Sequence, residues 1–143
     1  LGEVIDALQH VLVNPDAIHT YHYIPDVAAG LKTLGGAEDE NYGRPWMLPC
    51  APAETLCELV GRFSRQLGRE IRLAGVPRWM VKLSGVFVPL MKEVDEMLYQ
   101  WDEPFVIHDR GFRERFGQEP ADRDEAAAAT VAWAKEHYDS PES

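Results

Sequence analysis

The chain is 143 residues long, 45% apolar and 27% charged, the make-up of one folded globular domain, which excludes disorder over most of its length. Fourteen Lys and Arg against twenty-four Asp and Glu give a formal charge of -10, so the positive field that binders of nucleic acid or anionic membranes rely on is missing. Neither nucleic acid nor a membrane is expected as a partner.

The longest apolar runs, near Val81 to Met91 and Ala126 to Ala134, are interrupted by Lys, Ser, Pro or Thr and fall short of the about 20 residues of a spanning helix. The opening Leu1-Gly-Glu-Val-Ile-Asp6 has neither a basic n-region nor an apolar h-region, so no export signal is expected. Cys50 and Cys57 match neither a disulfide framework nor a zinc pattern. A reducing cytoplasm is the expected setting, and Cys57, inside an apolar helical pattern, is expected to be a buried and inert thiol.

In chain order, His19-Thr-Tyr-His-Tyr-Ile predicts a short strand that enters a helix from about Pro25 to Leu34, with Pro in its first turn. Val27, Ala28, Leu31 and Leu34 are its apolar positions, and Gly35-Gly36 are expected to stop it through a positive φ. An acidic loop follows to Arg44, and Arg44-Pro-Trp-Met-Leu-Pro is expected to be a buried strand. Thr55-Leu-Cys-Glu58 reads as a capping box. It predicts a helix carrying Leu56, Leu59, Val60, Phe63 and Leu67 and ended by Gly68. Glu70-Ile-Arg-Leu-Ala is the next expected strand, parallel to 46–49 through a right-handed crossover.

From Pro77 to Leu98 the pattern is helical, with a break or kink at Pro89. Phe105-Val-Ile-His is expected as a strand that pairs with Tyr21-His-Tyr, and Asp109 as the cap of a short helix reaching Phe116-Gly117. A last, Ala-rich helix from about Asp124 to His137 should bury Val131 and Trp133, and 139–143 should fray.

No complete catalytic set is found. His19 and His22 are three apart on a strand, which points their rings to opposite faces and argues against a metal pair. The acidic clusters at Glu38 to Glu40 and Glu93 to Glu96 read as solvated faces. No glycine-rich turn joins a strand to a helix, none of the five tyrosines has a Lys four positions on, and no Gly-x-Ser-x-Gly elbow occurs.

Six motifs in order carry a resemblance: Tyr23-Ile-Pro-Asp-Val-Ala-Ala-Gly-Leu, Trp46-Met-Leu-Pro, Thr55-Leu-Cys-Glu-Leu-Val, Gly68-Arg-Glu-Ile, Phe105-Val-Ile-His-Asp109 through Phe116-Gly, and Thr130-Val-Ala-Trp. Over most of residues 19 to 134 the chain resembles the C-terminal, substrate-binding half of the NAD-dependent epimerase/dehydratase family, the extended and atypical short-chain dehydrogenases/reductases. The resemblance implies a small, mostly helical α/β lobe with short two-stranded sheets, spanning 1–143 as a single domain. The family's nucleotide-binding turn and Tyr-x-x-x-Lys pair are absent, so NAD or NADP is expected only if a Rossmann half accompanies the chain. Either the chain is a fragment of a longer enzyme, or it is a free-standing relative that kept only the lobe.

The resemblance implies few site residues. His19 stands where many sugar-nucleotide epimerases have a phosphate-contacting Arg, seven positions before Asp26. Arg78 falls near a second substrate-contacting Arg of the family, and its other reading is a solvent-facing helix start. Tyr99 and Trp101 either line the groove that faces the missing half or pack in the core, the reading their size favours. Two functions follow as alternatives: a lobe that binds a small-molecule substrate and is not catalytically competent alone, or a stand-alone module for binding or self-association. Apolar residues around Trp79, Phe87, Met91 and Tyr99 would leave an exposed patch, so a homodimer is expected.

Overall fold

The computed structural model describes residues 10–11, 14–75 and 97–138. The helical pattern around Pro89, with Arg78, Trp79, Phe87 and Met91, and the tail at 139–143 lie outside the described residues. The described chain is mixed α/β and mostly helical. Its elements are β1 (His10–Val11), β2 (Ile18–His19), α1 (Ile24–Gly35), β3 (Glu54–Thr55), α2 (Leu56–Leu67), β4 (Ala74–Gly75), α3 (Tyr99–Asp102), α4 (Arg110–Phe116) and α5 (Arg123–Tyr138). Among the described residues no helix is long and apolar enough to cross a membrane.

Local signals set the helix ends. Thr55 Oγ1 accepts the Glu58 N–H at 3.1 Å while Glu58 Oε2 accepts the Thr55 N–H at 2.8 Å. This reciprocal box starts α2 by satisfying two donors that an unpropagated helix turn leaves free. Gly68 ends it at φ 65°, and Gly117 ends α4 at the same φ. There a side chain would meet the following carbonyl, so glycine fits.

The end of α1 differs from expectation. Gly36 has φ -104°, so no left-handed turn stops the helix. Instead the Leu34 carbonyl accepts the Ala37 N–H at 3.1 Å and the Tyr42 hydroxyl at 2.9 Å, which closes the last turn. The need for glycine in α1 lies at Gly30. A Cβ there would stand 3.0 Å from Leu48 Cδ2, so an alanine would require the Leu48 side chain to give way by a few tenths of an ångström.

Strand pairing also departs from the sequence reading. Residues 45–50 form no strand, because Pro45 and Pro49 have no N–H to give a ladder. The predicted parallel partner of 70–74 is therefore not 46–49: β4 pairs in parallel with β1, His10 opposite Ala74. The expected pairing of 21–23 with 105–107 forms upstream of its predicted position. β2 is antiparallel to β3, and His19 also makes a parallel bridge to Phe105. Thr20 N–H donates to Phe105 O and Phe105 N–H to Ile18 O, each at 2.9 Å, and the Thr20 hydroxyl accepts the Ile107 N–H.

Two apolar clusters support this frame. Val60 of α2 meets the buried Ala127 and Val131 of α5, while Phe112 of α4 is enclosed by Trp46 and Phe116, with ring centroids 6.0 and 4.7 Å away. Trp133, expected inside with Val131, is exposed because it lies on the opposite side of α5.

Asp109 precedes α4 but does not cap it with its side chain. Its Oδ2 accepts the Cys50 N–H at 2.9 Å, and Oδ1 lies 3.3 Å from Arg113 Nε. The carboxylate thus ties the irregular 45–50 segment to α4 in place of a free helix-end donor.

The capping box yields a direct test. Thr55→Ala removes the acceptor for the Glu58 N–H and should lower unfolding stability by about 1 kcal/mol, with Thr55→Ser close to the parent. Urea denaturation followed by circular dichroism measures both, and equal stabilities for parent and Ala variant would contradict the role assigned to the box.

Candidate functional site

The main concavity is an open cavity of about 660 Å³ between the start of α1, α2 and α5. Sequence explains why it exists. Ala126, Ala127 and Ala129 put only methyl groups on the α5 wall, so α5 does not fill the space opposite Leu59 and Phe63 of α2. Ile24 and Pro25 close the α1 side, and Trp133 stands at the far end. Such a size and an apolar lining with few polar groups suit a small organic ligand.

The charged cluster on its wall centres on Glu54. This carboxylate is only 5% exposed. Its Oε2 accepts Arg62 Nε at 3.0 Å and Nη2 at 2.8 Å, and Arg123 Nη1 approaches the same oxygen at 3.5 Å. Arg62 also donates to Asp124 Oδ1 at 2.8 Å, which Arg65 reaches at 3.3 Å. Arg62 is thereby held above its already high ordinary pKa, first by Glu54 and then by Asp124, and Asp124 is held below the usual carboxylate range, first by Arg62. Asp26, also on the rim, is engaged through Oδ2 with the Ala121 N–H at 3.0 Å.

Tyr21 forms a wall shared by this cavity and a smaller one of about 120 Å³ lined by Asn14, His19, Leu56 and Trp101. Burial first, then the Glu54 carboxylate and then Cys57 raise the Tyr21 phenol above its ordinary value. At neutral pH it is a hydrogen-bond donor and not a base.

Of the residues singled out from sequence, His19 and Trp101 line the small crevice, and Tyr99 does not. His19 is buried, with Nδ1 3.2 Å from Ala17 O and Nε2 3.2 Å from Gln100 O, and its ring stacks on Trp101 at 6.3 Å. Both nitrogens thus face main-chain carbonyls. Tyr99 is 56% exposed and Trp101 49%, so neither packs in the core as expected. Both lie on the short α3 turn, which buries no residue of its own. Arg78 lies outside the described residues. His22 lines the large cavity while His19 serves the small one, in keeping with rings on opposite sides of the segment. Among the described residues no three His, Cys, Asp or Glu side chains converge as a metal site.

Glu54, Arg62 and Arg123 were not picked out from sequence. The usable signal was the placement of Glu54 one residue before the capping box, where strand pairing buries it.

Cys57, expected to be buried, is exposed, and Cys50 is the buried thiol. Cys57 occupies the outer side of the first turn of α2, so its helical pattern did not place it inside. Burial, followed by the Asp109 carboxylate, pushes the Cys50 thiol up to about 11, against a smaller lowering by Arg113. Burial and Asp16 raise Cys57 as well. Neither is an activated nucleophile.

Among the described residues, none forms the glycine-rich strand-to-helix turn that would hold a nicotinamide dinucleotide. The described glycines with positive φ are Gly43, Gly68 and Gly117. Gly68 and Gly117 sit at helix C-termini, where the helix dipole repels phosphate, and Gly43 lies in a loop that leads into no helix. No protein-family model, curated protein or solved structure matches the chain.

Thiol labelling tests the electrostatics at Cys50. A pKa raised to about 11 leaves about a thousandth of the thiol ionised at pH 8, and the reactive thiolate grows tenfold per pH unit. In a Cys57→Ser background the rate of maleimide labelling should climb through pH 10. A plateau near pH 8.5 would contradict the carboxylate and burial as causes.

Proposed function

We propose that the chain is a small-molecule-binding lobe, related to the substrate-binding half of the NAD-dependent epimerase/dehydratase family and without redox chemistry of its own. The observation that carries this reading is the 660 Å³ apolar cavity with its ion-paired end, built on three helices. The family relationship rests on the six ordered motifs of the sequence. No nucleophile, base and orienting group come together in the cavity: Tyr21 is a donor, Glu54 is engaged by Arg62, and Asp26 by a main-chain N–H. Binding is therefore the activity assigned here. Calorimetry with NAD and NADP should show no heat at micromolar protein; a micromolar dissociation constant for either would overturn the assignment of the cofactor to residues outside this chain.

Self-association is a second reading, favoured by one observation. Around the His19–Phe105 bridge the apolar side chains of Ile18 and Phe105 are exposed, as are Tyr99 and, stacked on the His19 ring, Trp101. An apolar face of this kind suits a symmetric homodimer. Light scattering should give twice the chain mass, returning to the single-chain mass for Phe105→Glu. A parent that is monomeric at 100 μM, a concentration of about 10⁻⁴ M, would remove this reading.

A further inference from the structure

Independently of the cavity, we propose that His19 is a protonation-dependent latch: its charged imidazolium ties α3 to β2 through two hydrogen bonds, and loss of the proton as pH rises releases α3. Donors and acceptors at this ring balance in one charge state only. Nδ1 lies 3.2 Å from Ala17 O and Nε2 lies 3.2 Å from Gln100 O. Carbonyl oxygens only accept, whereas a neutral imidazole carries one N–H and one lone pair, so the imidazolium alone donates to both. In the neutral ring one nitrogen lone pair faces a carbonyl lone pair, and that contact must open.

Sequence decides which contact yields. In a continuing helix Gln100 O would accept from the residue four positions on, but that residue is Pro104, which has no N–H. Glu103, three positions on, gives its N–H to Tyr99 O instead. His19 is therefore the donor that satisfies Gln100 O. Ala17 O, by contrast, belongs to the segment that carries β2, and β2 is fixed by Glu54 and Thr55 in its ladder and by the bridge to Phe105. α3 has four residues and buries none of them, so the Gln100 side gives way and its carbonyl turns to water. Although His19 is buried, the two carbonyl dipoles point their negative ends at the ring and offset part of the cost of its charge.

The titratable and charged groups on the neighbouring described elements leave the switch to His19. Tyr21 on its own segment and Cys57, beside Leu56 in the first turn of α2, are both raised, chiefly by burial, and stay protonated at neutral pH. Glu54 across the ladder is engaged by Arg62. Asp102 and Glu103 at the end of α3 add negative charge, which favours a cation nearby. His22 lines the other cavity, and His108 is exposed beyond the bridge.

Nuclear magnetic resonance on the full chain tests the latch with two readouts, nitrogen–proton correlation spectra of the imidazole rings and water exchange of the Asp102 and Glu103 amides, which close the α3 turn on Leu98 O and Tyr99 O. His19 should carry two ring protons at about pH 5.5 and one at about pH 8.5. Protection of the two amides, corrected for intrinsic base catalysis, should fall about tenfold over the same range, the loss of one hydrogen bond. His19→Gln, whose amide does not titrate, should give a flat profile, and His22→Gln should keep the parent's. An imidazole in one charge state over the whole range would overturn the latch. So would a titration that leaves protection unchanged, or a fall in protection that survives His19→Gln. Should that variant fail to fold, the parent alone decides: the exchange and imidazole midpoints must coincide, and separate midpoints refute the proposal.

Discussion

Glu54 ties together four parts of the described structure: β2, β3, α2 and α5. Its backbone pairs with His19 in the β2–β3 ladder, its neighbour Thr55 caps α2, and its oxygen holds Arg62 of α2 with Arg123 of α5 close by. Taking a carboxylate out of water costs several kcal/mol, which close guanidinium partners must offset. The two short bonds from Arg62 do this, and Arg62 is itself only 14% exposed. The two groups consequently depend on each other: removing either leaves an unpaired buried charge. Because Arg62 also reaches Asp124 in the first turn of α5, the same contact fixes where α5 begins against α2. The width of the cavity follows from that fixed approach.

The strand segment around residue 20 separates two different environments. On one side His19 is stitched into the main chain by carbonyls from its own strand and from Gln100. A phosphate at that imidazole would face the same carbonyl oxygens and be repelled. His19, where the resemblance implies a phosphate-contacting Arg, is a structural link between β2 and α3. On the other side, Tyr21 and His22 border a cavity whose positive group is Arg123. The two faces of the segment thus differ, with main-chain carbonyls around His19 on one and a guanidinium beside the Glu54 and Asp26 carboxylates on the other.

Sequence legibility follows the range of the interaction concerned. The box at Thr55 and Glu58, the glycine stops at 68 and 117, and Pro25 in the first turn of α1 act within four residues, and the structure shows them where the pattern placed them. The register of β2 could not be read in the same way. Thr20 and Tyr21 have strand-like side chains, yet the ladder uses Ile18 and His19, because Glu54 and Phe105 select the pairing from 35 and 86 positions away. Asp109 shows the competition plainly. Its type and position suit a helix cap, but the buried Cys50 N–H is a donor that water cannot reach, and leaving it unpaired costs more than leaving an exposed helix end to solvent. Cys57 was misplaced for a related reason: periodicity assigns a helix face, whereas the contact made by Pro15 O with the Cys57 N–H fixes which side of that first turn meets the chain.

The alanines of α5 join fold and site. An alanine-rich helix has high intrinsic propensity but little apolar area to anchor it, so α5 relies on Val131 and Ala127 inside and on the arginine cluster at its N-terminus. The same methyl groups leave the wall of the cavity low. Larger side chains at 126 and 129 would anchor the helix better and erase the cavity at once. An apolar ligand body in that space would supply the missing contacts, and its free energy of binding would add to the stability of α5 by mass action. Ligand affinity and the docking of α5 are in this way two expressions of one packing gap, with the Glu54 cluster holding the helix in place while the gap is open.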